Sequence, residues 1–465
     1  MHVTAKTVPS RQGLFMVLAL GLGGCAGPSA PTPGQAPSLP ATWSRPAPSA
    51  GPLSDAWWDG FSSAELRDVL DAATTGSQDL AAAVARVRQA DARVRAAGAA
   101  LLPQVSTTVT ASRQAQVGRT TSGTVSSSAY TTGLAASYEV DFWGRNQAVR
   151  DTAVALRQAS HYDRDTVRIT VTTGAASLWL RTVAARERTT IAVRNVDTAT
   201  RLLDTVTARA RAGAAGPLEV AQQRGLVAAL QRNVDALRQE ADDLRIGLSV
   251  LVGRPGLAMT TAQLTGILAP PVDTGVPSQL MARRPDIARA EAQLAAADAN
   301  VAAARAALFP RLTLQAGLGV GGTRPSALLD HPLYSLVAGL AAPIFDAGFL
   351  AAQGDLASAE REALLASYRQ SVIAGFAEVE LGLNALSGVA AQIQAQTTVV
   401  AEAARALAFA ESRFRAGADT LLVLLDAQRT LYSAQDLAVQ LDLARLLATV
   451  DLYRALGGGW SSAGS

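Results

Sequence analysis

The sequence predicts a mixed fold that combines transmembrane β-strands with long α-helical hairpins in an internally duplicated chain. Segments of about ten residues alternate apolar and polar side chains, the pattern of strands in a membrane barrel. Two proline-free stretches of 68 residues, 145–212 and 349–416, predict very long helices. The glycines that flank these stretches recur at an offset of 204 positions, which indicates two copies of one unit.

Residues 1–24 predict a removable secretory signal. Lys6 and Arg11 precede a short apolar run, residues 14–22, which is far below the about 20 residues of a membrane-spanning helix. Cys25, the only cysteine among 465 residues, follows two glycines. This stretch resembles a bacterial lipobox, whose cysteine becomes the first mature residue and carries a lipid. An ordinary signal peptide with an incidental cysteine is the alternative. The next residue is not Asp, which in such lipoproteins would favour retention in the inner membrane.

The segment after Cys25 has the composition of a tether. Eight prolines lie between positions 28 and 52, so we expect residues 25–55 to be extended and without a core of their own. No uninterrupted apolar run beyond Cys25 reaches 18 residues, so we expect strands rather than helices to cross a bilayer. No basic cluster with interleaved aromatic residues is present, which argues against nucleic-acid binding.

The first copy of the repeated unit is predicted over residues 56–255. Helical spacing of apolar residues begins it, over residues 66–101, and Pro103 ends that helix. The elements predicted after it are strands over residues 103–117 and 130–142 and long helices over residues 145–212 and 217–252.

An inter-repeat linker, residues 256–284, leads to the second copy, residues 285–457. Its first helix is predicted over residues 285–308 and is ended by Pro310. The elements predicted after it are strands over residues 310–322 and 333–345 and long helices over residues 349–416 and 420–456, followed by a tail at residues 458–465.

Four strands are too few to close a barrel within one chain. An open sheet edge is untenable in lipid, because each unpaired backbone group costs several kcal/mol. Closure therefore requires several copies, and two would give eight strands whereas three would give twelve. The alternative is a pair of soluble hairpins that pack on the helices.

The long helices predict a structure that extends far from a membrane. A helix of 68 residues spans about 100 Å, which is comparable to the depth of a bacterial periplasm. Each one ends in Arg-Ala-Gly, at residues 211–213 and 415–417, before a shorter helix returns. A free-standing coiled-coil scaffold would explain these helical hairpins but not the strands.

Several motifs carry a resemblance to the TolC-like outer-membrane efflux channels, in particular their OprM-like, NodT-type lipoprotein branch. These are the lipobox at Cys25 and WWDGF (57–61), ALLPQV (100–105), YEVDFWGR (138–145), PIFDAG (343–348), RFRAGADTLLVLLDAQRTLYSAQ (413–435) and LYRALGGGW (452–460). The resemblance implies a homotrimer whose twelve-stranded outer-membrane barrel continues into a periplasmic tunnel of twelve helices, with an equatorial region midway.

The function implied is a passive exit duct for small toxic compounds. The partners implied are a periplasmic adaptor (a membrane fusion protein) and an inner-membrane pump of the RND type, with outer-membrane lipid around the barrel. No catalytic motif stands out, so we expect no enzyme activity and no cofactor apart from the lipid on Cys25. The alternatives are the outer-membrane duct of a type I protein-secretion system and a non-porous structural lipoprotein that spans the periplasm.

The resemblance also implies where the periplasmic end closes. Asp426 and Arg429 lie three residues apart, hence on one helix face, and match residues of the constricted aperture in the family. An ordinary solvated helix pair is the alternative. Phe414 stands at an aperture position that is often Tyr and lacks the hydroxyl. The expected adaptor-docking tips are Arg211, Gly213, Arg415 and Gly417.

Overall fold

The computed structural model describes residues 37–45, 56–117 and 124–460. Cys25, the signal and most of the expected tether lie outside these residues. The elements, in chain order, are α1 (Ala64–Gly76), α2 (Gln78–Ala99), β1 (Gln104–Val117), β2 (Thr124–Val140), α3 (Arg145–Arg211), α4 (Pro217–Val252), α5 (Leu280–Arg283), α6 (Pro285–Ala306), β3 (Arg311–Gly322), β4 (His331–Ala341), α7 (Phe349–Arg415) and α8 (Leu421–Ala455).

The two long helices α3 and α7 each contain 67 residues and so extend for about 100 Å. Each begins after a glycine in the left-handed conformation, Gly144 with φ 74° and Gly348 with φ 86°. A carboxylate then accepts the first free backbone amides: Asp141 caps α3, and Asp346 caps α7. The start of each long helix is therefore set by local sequence.

The four strands form one antiparallel sheet in the order β1-β2-β3-β4. The register aligns Leu134 of β2 with Leu318 of β3 and Tyr334 of β4, so the apolar positions of successive strands share one face. These three side chains are exposed in the single chain, at 54%, 61% and 84%. The sheet thus presents an uncovered apolar face, and its two outer strands have unpaired edges.

The strand bounds differ most from expectation at two places. β2 begins at Thr124, not near residue 130, because Thr124 pairs with Val117 at the far end of β1. β4 ends at Ala341 rather than near residue 345, since Pro343 follows two residues later and has no amide N–H to donate to a ladder.

The helix expected over residues 66–101 is interrupted. α1 ends at Gly76, Ser77 adopts an extended conformation, and α2 begins at Gln78. Gly76 lies so close to the Val252 carbonyl that a β-carbon would meet its oxygen at 2.4 Å. The close approach of this turn to the end of α4 accounts for the break.

One helix among the described residues, α7, is long and apolar enough by length and composition to cross a membrane. The expectation of no such helix counted only uninterrupted apolar runs, whereas alanine and valine dispersed among polar residues raise the average over α7. A helix of about 100 Å is several times longer than the about 30 Å of hydrocarbon it would cross. This single helix therefore does not alter the assignment of the strands as the spanning segments.

The largest hydrophobic core lies where α1, the middle of α3, the end of α4, the inter-repeat linker and the end of α8 meet. Trp57 stacks on Tyr453 at 5.1 Å, and Phe61 is fully buried beside them. A second cluster, which we call the lower core, joins the two hairpins near their tips. It comprises Val206, Leu226, Ala403, Leu407, Ala410, Phe414, Leu421, Leu424, Leu425, Leu431, Tyr432 and Ala434.

Candidate aperture and hairpin tips

The two hairpin tips have the same backbone geometry. Gly213 and Gly417 have φ values of 76° and 75°, in the left-handed region that glycine adopts without strain. The amide of Gly213 donates to the Ala210 carbonyl at 3.0 Å, and that of Ala214 donates to Arg209 at 2.8 Å. The second tip repeats both hydrogen bonds, so each long helix ends in a Schellman motif.

The side chains at the tips leave an accessible surface. Arg211 and Arg415 are exposed, and Arg415 forms an ion pair with Glu411 at 3.0 Å. A β-carbon added at Gly213 or Gly417 would meet no atom within 4 Å. The expected docking residues are therefore grouped at exposed ends, with space for a partner to approach the backbone.

Asp426 and Arg429 lie on the exposed side of α8, about two turns beyond the second tip. Because Leu424 and Leu425 are buried in the lower core, the side of α8 that carries Asp426 and Arg429 faces outward. Within the described residues, neither the Asp426 carboxylate nor the Arg429 guanidinium has an ion-pair partner in its own chain, and they do not pair with each other. Both charges remain available to another copy.

Phe414 is buried rather than lining an exposed surface. The Arg209 guanidinium lies over its ring, with 4.7 Å from Cζ to the ring centroid, and also donates to the Phe414 carbonyl at 2.8 Å. Phe414 therefore joins the end of α7 to the end of α3. The structure brings Asp426 and Arg429 to one surface but places Phe414 in the lower core beneath it.

A second link between the hairpins was not foreseen from the sequence. Arg188 of α3 donates to both oxygens of Asp436 on α8, at 2.7 and 3.3 Å, and also to Glu240 on α4. Burial lowers the pKa of Arg188, but the carboxylates of Asp436 and Glu240 outweigh it and raise the pKa overall. No spacing along the chain relates residues 188 and 436, so only the fold reveals this pair.

The two tips differ in their ion pairs. Arg413 and Asp419 face each other across the second tip at 2.6 Å, and the hydrogen bond from Arg413 lowers the pKa of Asp419. The equivalent positions of the first tip are Arg209 and Ala215, so Arg209 has no local carboxylate. Arg209 instead extends to Phe414 of the other hairpin.

No catalytic or metal-binding constellation accompanies these surfaces. Within residues 37–45, 56–117 and 124–460, no group of three or more His, Cys, Asp or Glu side chains could hold a metal ion. The arrangement offers exposed charges, apolar packing between helices and two accessible tips.

Comparison with known proteins agrees with this geometry. The family model described as "Outer membrane efflux protein" matches residues 69–254 and 276–458. Two relatives named pyoverdine export outer membrane protein OpmQ are similar: that of Pseudomonas putida KT2440 is 46% identical over 98% of this chain and 99% of its own, and that of Pseudomonas aeruginosa PAO1 is 45% identical over 97% and 98%. The solved structure of the outer-membrane channel OprN is 27% identical, with a TM-score of 0.83 over 92% of this chain and 99% of that one.

Proposed function

The chain belongs to the outer membrane efflux protein family, and on that premise we propose that it forms, as a homotrimer, the exit duct of a tripartite export system. Family and relatives are outer-membrane channel proteins rather than enzymes. The trimer would place twelve strands in the outer membrane above twelve periplasmic helices, and the tips would contact a periplasmic adaptor and an inner-membrane pump.

The observation that carries this proposal is the combination of sheet and helices in one chain. A sheet with an uncovered apolar face and two unpaired edges suits a lipid-facing wall that other copies complete. The strands lead directly into helices of about 100 Å. A periplasmic scaffold would need the helices but would have no use for this sheet.

Planar-bilayer recording of the purified full-length protein tests the duct. We expect stepwise ion conductance, because a tunnel through barrel and helices carries ions without an energy source. If neither the wild type nor a variant without the aperture charges (Asp426→Ala, Arg429→Ala) conducts current after insertion, the protein is the non-porous scaffold instead.

We propose that the cargo is a small molecule, and a siderophore is the first to test, because relatives about 45% identical are named for pyoverdine export. In a strain that lacks this protein, the small molecule should accumulate in the periplasm. Its release into the medium should be restored when the protein is expressed again. Loss of a secreted polypeptide with normal release of small molecules would favour the type I secretion alternative.

Cross-linking and purification from wild-type cells would identify the pump, for which the RND type stays a prediction.

We also propose that Cys25 carries the lipid anchor. The test is metabolic labelling with palmitate, which should enter the wild-type protein but not the Cys25→Ser variant. Label retained in the variant would place any acyl chain on another residue.

A further inference from the structure

Two buried polar side chains in and beside the lower core have no hydrogen-bond partner. Gln428 is 0% exposed, and within the described residues neither its amide nitrogen nor its amide oxygen is hydrogen-bonded. The Tyr432 hydroxyl, about one turn further along α8, is likewise buried and without a partner there. Such groups lose their bonds to water without replacement, so they oppose the packing that buries them.

Other buried glutamines of the hairpins hold two helices together. Gln396 of α7 donates to the Ala434 carbonyl of α8 at 2.8 Å, and Gln223 of α4 donates to the Ala199 carbonyl of α3 at 2.8 Å. Gln428 has the same chemistry and equal or greater burial but makes no such bond. Gln428 therefore lacks the helix-to-helix hydrogen bond that Gln396 and Gln223 make.

The position of the two groups places them between the hairpins. Burial raises the pKa of Tyr432 to about 12, with a further rise from Glu411 on α7 and an opposing effect from Arg201 on α3. Tyr432 packs in the lower core with residues of both hairpins, and Gln428 lies on the same side of α8. A second copy of the chain cannot contact Gln428 without rearrangement, because no part of its side chain is exposed in one copy.

We propose that Gln428 and Tyr432 limit the stability of the closed packing of α8 and thereby set how readily the aperture opens. This inference rests on the proposed function. When α8 turns or moves away from α3, the amide and the hydroxyl gain water or new partners, so opening relieves a cost that closure imposes. Asp426 and Arg429 lie on the outer side of the same turn, so the same movement displaces the proposed gate charges.

The Gln428→Leu variant of the full-length protein tests the proposal, because leucine has similar size and no polar group. We expect a higher midpoint of thermal unfolding, a several-fold lower conductance in planar bilayers and slower export. Tyr432→Phe, which removes only the unpartnered hydroxyl, should act in the same direction. Gln396→Leu is the matched control: it removes an existing hydrogen bond within the same hairpin, so its unfolding midpoint should fall.

The outcomes separate this inference from the proposed function. If the wild type conducts but Gln428→Leu has an unchanged or lower unfolding midpoint, or an unchanged conductance, the inference is wrong while the duct stands. If Gln428→Leu fails to assemble, Tyr432→Phe decides by the same two measurements. If neither the wild type nor Asp426→Ala, Arg429→Ala conducts after insertion, the duct itself is contradicted.

Discussion

Asp426 and Arg429 are two exposed charges whose proposed role requires several copies of the chain. Each is exposed and unpaired within the described part of its own chain. A threefold axis would bring three Asp426 carboxylates together, and their repulsion must then be offset by arginine, by bound cations or by protonation. Interchain pairing of Asp426 with Arg429 is the arrangement that would hold the aperture closed.

We therefore expect the double variant Asp426→Ala, Arg429→Ala to conduct several-fold more current than the wild type in planar bilayers. The matched control is Asp451→Ala, Arg454→Ala, which removes an exposed pair with the same spacing on the same helix, 3.6 Å apart. Equal conductance in the wild type and the aperture variant would show that Asp426 and Arg429 are an ordinary solvated pair.

The tip glycines give a second prediction at this scale. Gly417→Val should abolish export without loss of trimers, because a β-branched residue in the left-handed region costs about 1–2 kcal/mol and distorts the docking surface. Gly354→Val is the control: Gly354 lies inside α7, and no atom is within 4 Å of a β-carbon added there. Normal export by Gly417→Val would move adaptor docking away from the tips.

The sequence predicts which residues lie at the hairpin tips but not all of the contacts that they make. The repeat aligns Arg209 with Arg413, yet Arg413 binds Asp419 locally while Arg209 binds Phe414 in the other hairpin. The difference follows from Ala215, which stands where the second tip has Asp419. Long-range partners of this kind depend on how the hairpins pack, and helical periodicity does not encode that packing.

The bounds of an element follow most directly from the sequence where neighbouring residues set them. Left-handed glycines and capping carboxylates define the starts of α3 and α7, and both kinds of signal are visible in the sequence. The break at Ser77 was missed because its cause is tertiary: Gly76 approaches the carbonyl of Val252, a residue far along the chain. Apolar periodicity continues across that break and hides it.

Arg284 joins α6, α7 and α8 and gives a prediction for stability. Its guanidinium is buried and donates to Asp286 at the start of α6, to Glu378 on α7 and to the carbonyl of Ala455 at the end of α8. Burial by itself raises the pKa of Asp286, but the hydrogen bonds and charge of Arg284 outweigh it, so the pKa of Asp286 lies below its ordinary value.

Arg284→Met should lower the free energy of unfolding by about 1–3 kcal/mol at neutral pH, because the half-buried Asp286 carboxylate loses its cation and the Ala455 carbonyl loses its donor. A lowered pKa contributes stability above the ordinary pKa and loses it as the pH falls through the folded value. The difference between wild type and variant should therefore shrink below about pH 4.

Thermal unfolding followed by circular dichroism at neutral pH and below about pH 4 checks this prediction. Arg283→Met, which changes a less buried neighbour, is the control. A difference that is independent of pH would contradict the role of Asp286.

At the scale of the whole molecule, β1 and β4 are the outer strands of the sheet, and each has one edge without a neighbouring strand in its own chain. In lipid, the backbone groups of these edges need hydrogen-bond partners, which we expect other copies of the sheet to supply. Closure would pair β4 of one copy with β1 of the next and would bring the Cα atoms of directly opposite residues to about 4.5–5.5 Å. That distance permits a disulfide. Since Cys25 is the only native cysteine, introduced thiols report on this contact alone in a Cys25→Ser background.

We expect one combination of Val109→Cys on β1 with a cysteine at Tyr334, Leu336 or Ala338 on β4 to give cross-linked species of two and three chains, and none larger. The control pairs Val109→Cys with Thr132→Cys, its partner within the same chain, which should form only an intrachain bond. A ladder that stops at two chains would indicate an eight-stranded barrel, because each copy contributes four strands. Absence of interchain bonds in every combination would contradict closure through these edges and, with it, the shared duct.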